Sequence, residues 1–138
     1  MKHSYPTLDP LLRFVMALEV LVYFGAALLH LGVRARLGSL VLAVPNAILP
    51  AAIVETILGL AVAANLMALM RGNRRSKTIT VGVHLFVLVG VLLGMVALAI
   101  RVGPPPSLDW NIHYVMLAGI AAGMVLSAQR LLRNASTL

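Results

Sequence analysis

The 138-residue chain is 61% hydrophobic and 11% charged, with a mean hydropathy of +0.99, a formal net charge of +7 and no cysteine. A soluble domain is about 45–50% apolar and about 25% charged, so the composition describes a membrane protein, and the length suits one small domain, 1–138. Without cysteine there is no disulfide, thiolate metal site or cysteine redox chemistry, and the basic residues flank apolar runs, where topology signals belong, so no nucleic-acid partner is expected.

Residues 1–8 read as a short polar lead. Asp9-Pro10 is a helix start, with a capping carboxylate followed by a proline whose missing N–H costs nothing in the first turn. The first helix is expected over 10–33. Its apolar run exceeds the ~7–15 residues of a signal-peptide core, so it is read as a retained span. Arg13 is near enough to the start to reach the headgroups. Glu19 lies about 13 Å in at ~1.5 Å per residue. Tyr23 and His30 follow on the same face at ~100° per residue. That face points inward, because an ionisable group facing lipid is costly.

The connection over 34–49 carries Arg34 and Arg36 and an apolar piece, 38–44, too short to span. It is expected to lie along the membrane surface. Pro45, Asn46 and Pro50 then break the chain and start a second helix over 50–70, with Glu55 early and Asn65 late. Arg71-Gly-Asn-Arg-Arg-Ser-Lys77 is a basic turn, and a third helix with His84 is expected over 78–102. Gly103-Pro104-Pro105-Pro106 cannot continue it. Ser107 or Asp109 caps a fourth helix over 110–132, with Trp110 and Tyr114 at interface level. The fold class expected is therefore all-α: an integral membrane four-helix bundle.

Lys2, Arg13, Arg71, Arg74, Arg75, Lys77, Arg130 and Arg133 fall on one side of these helices, and Arg34, Arg36 and Arg101 on the other. The positive-inside bias puts both termini in the cytoplasm, and the expected location is the cell's inner (plasma) membrane.

Two stretches share a frame. His84-Leu-Phe-Val-Leu-Val-Gly90-Val-Leu-Leu-Gly94-Met95 and His113-Tyr-Val-Met-Leu-Ala-Gly119-Ile-Ala-Ala-Gly123-Met124 have the same spacing of histidine, two glycines and methionine. Glu19 and Gly25 repeat the first interval. Leu60-Ala-Val-Ala-Ala-Asn-Leu66 aligns with Ala118-Gly-Ile-Ala-Ala-Gly-Met124 and sets Glu55 on His113. The chain thus reads as two repeated helical hairpins, related by an axis along the membrane normal. Glu19 should face His84 at one depth, and Glu55 should face His113 at the other. The glycines are assigned to helix packing.

The candidate chemistry lies in these intramembrane residues. Glu19, Tyr23, Glu55, His84, Asp109 and His113 form the candidate ligand-binding or proton-relay set, since a carboxylate beside an imidazole can share a proton. Asp109 joins it by standing four residues before His113, on the same face if the helix includes it. His30, Glu55 and His113 form a second set, with the two imidazoles and one carboxylate of a first-row metal site. His30 with His113 would also serve a haem if the first and fourth helices face each other. No nucleophile elbow, phosphate loop or HExxH motif is present, so no catalytic residue is assigned and the chain leans away from being an enzyme.

The four-helix layout resembles the DoxX-like small bacterial membrane proteins. Pro50-Ala-Ala-Ile-Val-Glu55-Thr-Ile-Leu-Gly59-Leu60 is similar to a segment of small actinobacterial-type membrane proteins. The resemblance implies a compact bundle and, for some members, an association with quinone-linked oxidation. Three functions stand side by side. One is an accessory or binding protein for a lipophilic molecule such as a quinone, held inside, in a lipid-facing groove or between copies. The second is a small proton-coupled transporter or channel, working as a homo-oligomer or with a membrane partner subunit. The third is a haem or metal protein.

Overall fold

The computed structural model describes residues 8–44, 46–73, 76–100 and 107–135. Residues 1–7 of the polar lead, Pro45, Arg74 and Arg75, residues 101–106 with the proline break, and the last three residues of the tail lie outside the described residues. Within them run α1 (Leu8–His30), a hairpin of β1 (Ala35–Leu37) and β2 (Leu40–Leu42), then α2 (Leu49–Met70), α3 (Ser76–Ala99) and α4 (Ser107–Ala135). All four helices are long and apolar enough to cross a membrane. At ~1.5 Å per residue, even the 22 residues of α2 reach about 33 Å, against ~30 Å of hydrocarbon. The chain is a multi-pass membrane protein with an all-α bundle.

The helix ends differ from the expected ones for local reasons. α1 stops at His30 rather than Val33 because Gly32 turns left-handed, at φ +90°. The N–H of Val33 then reaches back to the Leu28 carbonyl, and that of Gly32 to Leu29. This double closure satisfies carbonyls that the helix itself cannot. Gly72, at φ +73°, ends α2 the same way, with Asn73 bonded to Ala68 and Gly72 to Leu69. α3 is helical to Ala99, and residues 101 and 102, where its end was expected, lie outside the described residues. α4 begins at Ser107, three residues earlier than expected, so Asp109 stands inside its first turn and is not the residue before it.

The 34–49 connection is the clearest departure. It folds into an antiparallel hairpin with Ala35 opposite Leu42, Arg36 opposite Val41 and Leu37 opposite Leu40. Gly38-Ser39 makes a two-residue turn with φ +61° at Gly38. Positive φ at the first turn position suits the strand twist and favours glycine there. The hairpin's base is closed by the Ile48 N–H on the His30 carbonyl at 2.7 Å.

The helices form a square. α1 packs on α2 and α4, and α3 packs on α2 and α4. Helices 1 and 3 face each other across a diagonal, as do 2 and 4. Leu12, Met16 and Tyr23 of α1 meet Leu58 and Val62 of α2, Val87 and Val91 of α3, and Met116 and Ile120 of α4. The outside is also apolar: Phe14, Leu21, Leu60, Leu93 and Val96 are all more than half exposed or nearly so. A soluble monomer does not present such a surface around its whole girth, whereas lipid tails solvate it. With lipid outside, close packing holds the helices together, and small residues permit it. Gly59 lets α1 approach at Tyr23, since a Cβ there would lie 3.1 Å from Tyr23 Cβ.

Candidate functional site

The buried polar residues gather at two depths along α1. The first layer is Glu19 with His84, across the α1–α3 diagonal. His84 Nε2 lies 3.3 Å from Glu19 Oε2, and both side chains are enclosed. The ring's other nitrogen, Nδ1, lies 2.8 Å from the Thr80 carbonyl one turn earlier in α3. A carbonyl only accepts, so Nδ1 carries the hydrogen. Nε2 faces the Glu19 carboxyl at that distance without a well-aligned hydrogen bond among the described residues. One proton shared between the two would leave the pair neutral. That is how two titratable groups can share a water-poor interior.

The glycines of the shared frame explain why this pair fits. A Cβ on Gly119 would meet Glu19 Cγ at 3.0 Å, and one on Gly123 would overlap His84, lying 2.6 Å from its Cδ2. The Gly-x3-Gly step of α4 is thus the floor under the pair. The relation is reciprocal along the antiparallel α3–α4 couple. His84 sits on Gly123, and His113 sits on Gly94, where a Cβ would come 2.5 Å from His113 Nε2. In each frame the second glycine makes room for the other helix's histidine. The packing role assigned to the glycines is a histidine seat. Below this layer Asn65 Nδ2 donates to Thr80 Oγ1 at 2.9 Å, joining α2 to α3. Both residues are buried, and the bond holds the carbonyl-bearing turn that orients His84.

The second layer is at the hairpin end, eleven residues further along α1, or about 16 Å. Here the expected Glu55–His113 pair is not formed. Glu55 Oε2 is 2.7 Å from Nδ1 of His30, on the adjacent helix. His30 Nε2 points to a third helix, 3.7 Å from Asp109 Oδ1. His113 Nδ1 is held by the Asp109 carbonyl at 2.8 Å, so its Nε2 is free of that bond and directed to Gly94. Asp109 and His113 do share a face of α4, as their spacing suggests, but the backbone joins them while the Asp109 side chain reaches His30.

Three of these residues make up the metal and haem set. His30 has one ring nitrogen on Glu55 and the other toward Asp109, and His113 Nδ1 is held by the carbonyl of Asp109 in its own helix. Among the described residues no three His, Asp or Glu side chains are grouped so as to hold a metal ion. Helices 1 and 4 are neighbours, and His30 Nδ1 is engaged by Glu55 at 2.7 Å.

Tyr23 lies between the layers. It is fully buried, and its hydroxyl has no hydrogen-bond partner among the described residues. Trp110 and Tyr114 stack on each other with ring centroids 6.0 Å apart, and Tyr114 is exposed, as suits an interface anchor. At the opposite end of the bundle Arg130 bonds Asp9 at 2.7 Å, and Arg13 bonds the Leu69 carbonyl at 3.2 Å.

Two openings reach these layers. A cleft of about 580 Å³ enters between α2 and α3. Its walls are apolar, with Pro50, Val54 and Leu58 on one side and Leu93, Ala97 and Leu98 on the other, and its inner end meets His30, Glu55 and His113. A smaller groove of about 340 Å³, between α1 and α4, reaches Glu19 and Tyr23. Met116 lines both and stands between them. Comparisons with protein families, with curated proteins and with solved structures give no match.

Proposed function

We propose that the protein binds a lipophilic molecule with a polar, hydrogen-bonding head, of the quinone class, in the α2–α3 cleft. The observation that carries this is the combination in one opening of apolar walls and three titratable side chains, His30, Glu55 and His113, at its inner end. Ligand sites are mostly apolar cavities of about 300–1,000 Å³ with a few polar groups that orient the ligand, and this cleft is of that kind. The head meets Glu55 and the His113 ring, and the tail leaves past Leu93 and Ala97 toward lipid. Its role is that of a binding or accessory protein, alone, as a homo-oligomer or beside a membrane partner subunit. The resemblance to DoxX-like proteins supports the same ligand class. The charge bias supports cytoplasmic termini and a plasma-membrane location, with the cleft toward the outer face.

Mass spectrometry of lipids co-purified with the protein tests the reading. A quinone-type molecule should be enriched over bulk lipid, and about tenfold less of it should remain in Ala97→Phe, which fills the cleft mouth; each tenfold step is 1.4 kcal/mol of binding. Bulk phospholipid alone, or equal retention by Ala97→Phe, would overturn it.

A second reading, a small proton-coupled transporter, rests on a separate observation. Titratable groups stand at two depths with Tyr23 between them, and Glu19 and Asp109 have carboxylate oxygens without a hydrogen-bond partner among the described residues. Proton flux into liposomes tests it.

A further inference from the structure

The hairpin-end layer contains an arrangement that ligand binding alone does not require. The His30 ring stands between two carboxyl groups from different helices, Glu55 on Nδ1 at 2.7 Å and Asp109 on Nε2 at 3.7 Å. The two carboxyls have unlike surroundings. Glu55 lines the α2–α3 cleft, whereas Asp109 lines neither that cleft nor the α1–α4 groove. Asp109 is 0% exposed, and neither of its carboxylate oxygens has a hydrogen-bond partner among the described residues. Buried polar atoms in folded proteins are nearly always bonded, so an exception calls for a reason. A carboxyl group kept only for structure would be expected to bond its neighbours. This one is left open beside an imidazole, in the first turn of α4, where helix amides favour negative charge.

We propose that Glu55, His30 and Asp109 form a proton relay that links the cleft to the first turn of α4. A proton on the Glu55 carboxyl passes to His30 Nδ1 as the proton on Nε2 passes to Asp109 Oδ1. Glu55 ends as a carboxylate, Asp109 as a carboxylic acid and His30 as the other neutral tautomer, and no electron moves. The reverse sequence returns the proton. Imidazole suits this work because it takes a proton at one nitrogen while releasing one at the other. The 3.7 Å gap is beyond hydrogen-bonding reach, and an approach of about 0.8 Å closes it. The titratable groups that face His30 are Glu55 from α2 and Asp109 from α4; His113 of α4 and Gly94 and Ala97 of α3 line the same cleft as His30. The relay needs no ligand. Its use by a bound head group that gains or loses a proton rests on the cleft reading above.

Infrared difference spectroscopy of the full chain in liposomes, without added ligand, tests the relay between about pH 5 and about pH 9. Asp109→Asn identifies the Asp109 carboxylic acid band. Glu55→Gln should move the midpoint of that band by about 1 pH unit or more, because strongly interacting groups titrate as a unit. In a His30→Gln background, Glu55→Gln should move it by less than half as much. His30→Asn is the second background should the glutamine variant fail to fold. The relay is overturned if no Asp109-dependent band appears, if Glu55→Gln leaves the midpoint in place, or if the shift is equal with and without His30. Those results leave the cleft reading standing. Failure to retain a lipophilic molecule refutes the cleft reading and leaves this measurement unaffected.

Discussion

Replacing Gly94 with alanine tests the histidine seat most directly. The new Cβ would stand 2.5 Å from His113 Nε2 and 3.3 Å from its Cδ2, against about 3.5–4.0 Å for an unstrained contact. The ring cannot swing aside freely, because its Nδ1 is held to the Asp109 carbonyl at 2.8 Å. Either that bond breaks, at about 1 kcal/mol, or α3 and α4 part by roughly an ångström and lose packing along their length. Overpacking of this size costs about 1–3 kcal/mol. Alanine itself favours a helix by about 1 kcal/mol over glycine, so the expected net loss is about 0–2 kcal/mol, and the loss relative to an unhindered Gly→Ala replacement about 1–3 kcal/mol. Gly82→Ala is the control: it lies in the same helix, and a Cβ there meets nothing within 4 Å. It should be neutral or slightly stabilising. Thermal unfolding in detergent, followed by circular dichroism, measures both. The decisive comparison is Gly94→Ala in a His113→Ala background, where the penalty should vanish. A Gly94→Ala protein as stable as Gly82→Ala, or an equal penalty without the His113 ring, would refute the reasoning.

The diagonal pair should behave as one unit. Glu19→Leu or His84→Leu alone leaves a buried partner uncompensated and should cost about 3–5 kcal/mol, while the double replacement should cost clearly less than the two together; simple additivity in the same melts would show that the residues act independently. For the transport reading, a pH-sensitive dye inside liposomes should report proton entry through the parent and slower entry through Glu55→Gln, whereas two equally tight preparations would remove its support.

The spans were legible because length and hydropathy carry that information residue by residue. The Glu19–His84 contact was legible too, since both lie mid-helix at one depth and face the bundle axis, where diagonal helices come closest. The partner of Glu55 was not. Depth along a helix follows from counting, but which neighbour arrives first depends on how each helix is turned about its own axis. Repeat equivalence with His113 says that the two positions correspond, not that they touch, and His30 reaches Glu55 from the adjacent helix. The hairpin had a local signal that hydropathy concealed. Gly38-Ser39 between two short apolar runs is a two-residue turn pattern, and Gly32 likewise marks the end of α1 ahead of its apolar tail. Asp109 was legible only as an extension of the His30, Glu55 and His113 cluster, through its spacing from His113; that its side chain reaches His30 depends on α1 and α4 being side by side.

The closed base of the hairpin also has an evolutionary side. The Ile48 N–H on the His30 carbonyl pins both ends of the 31–48 excursion at a single point of the bundle. The length and content of what hangs beyond that point are thereby uncoupled from the helices. Lengthening a loop whose ends are already held together adds only about 0.6 kcal/mol per doubling. This excursion is the place where the lineage can add or remove sequence, or an engineer can splice in a reporter, without renegotiating the register of four packed helices.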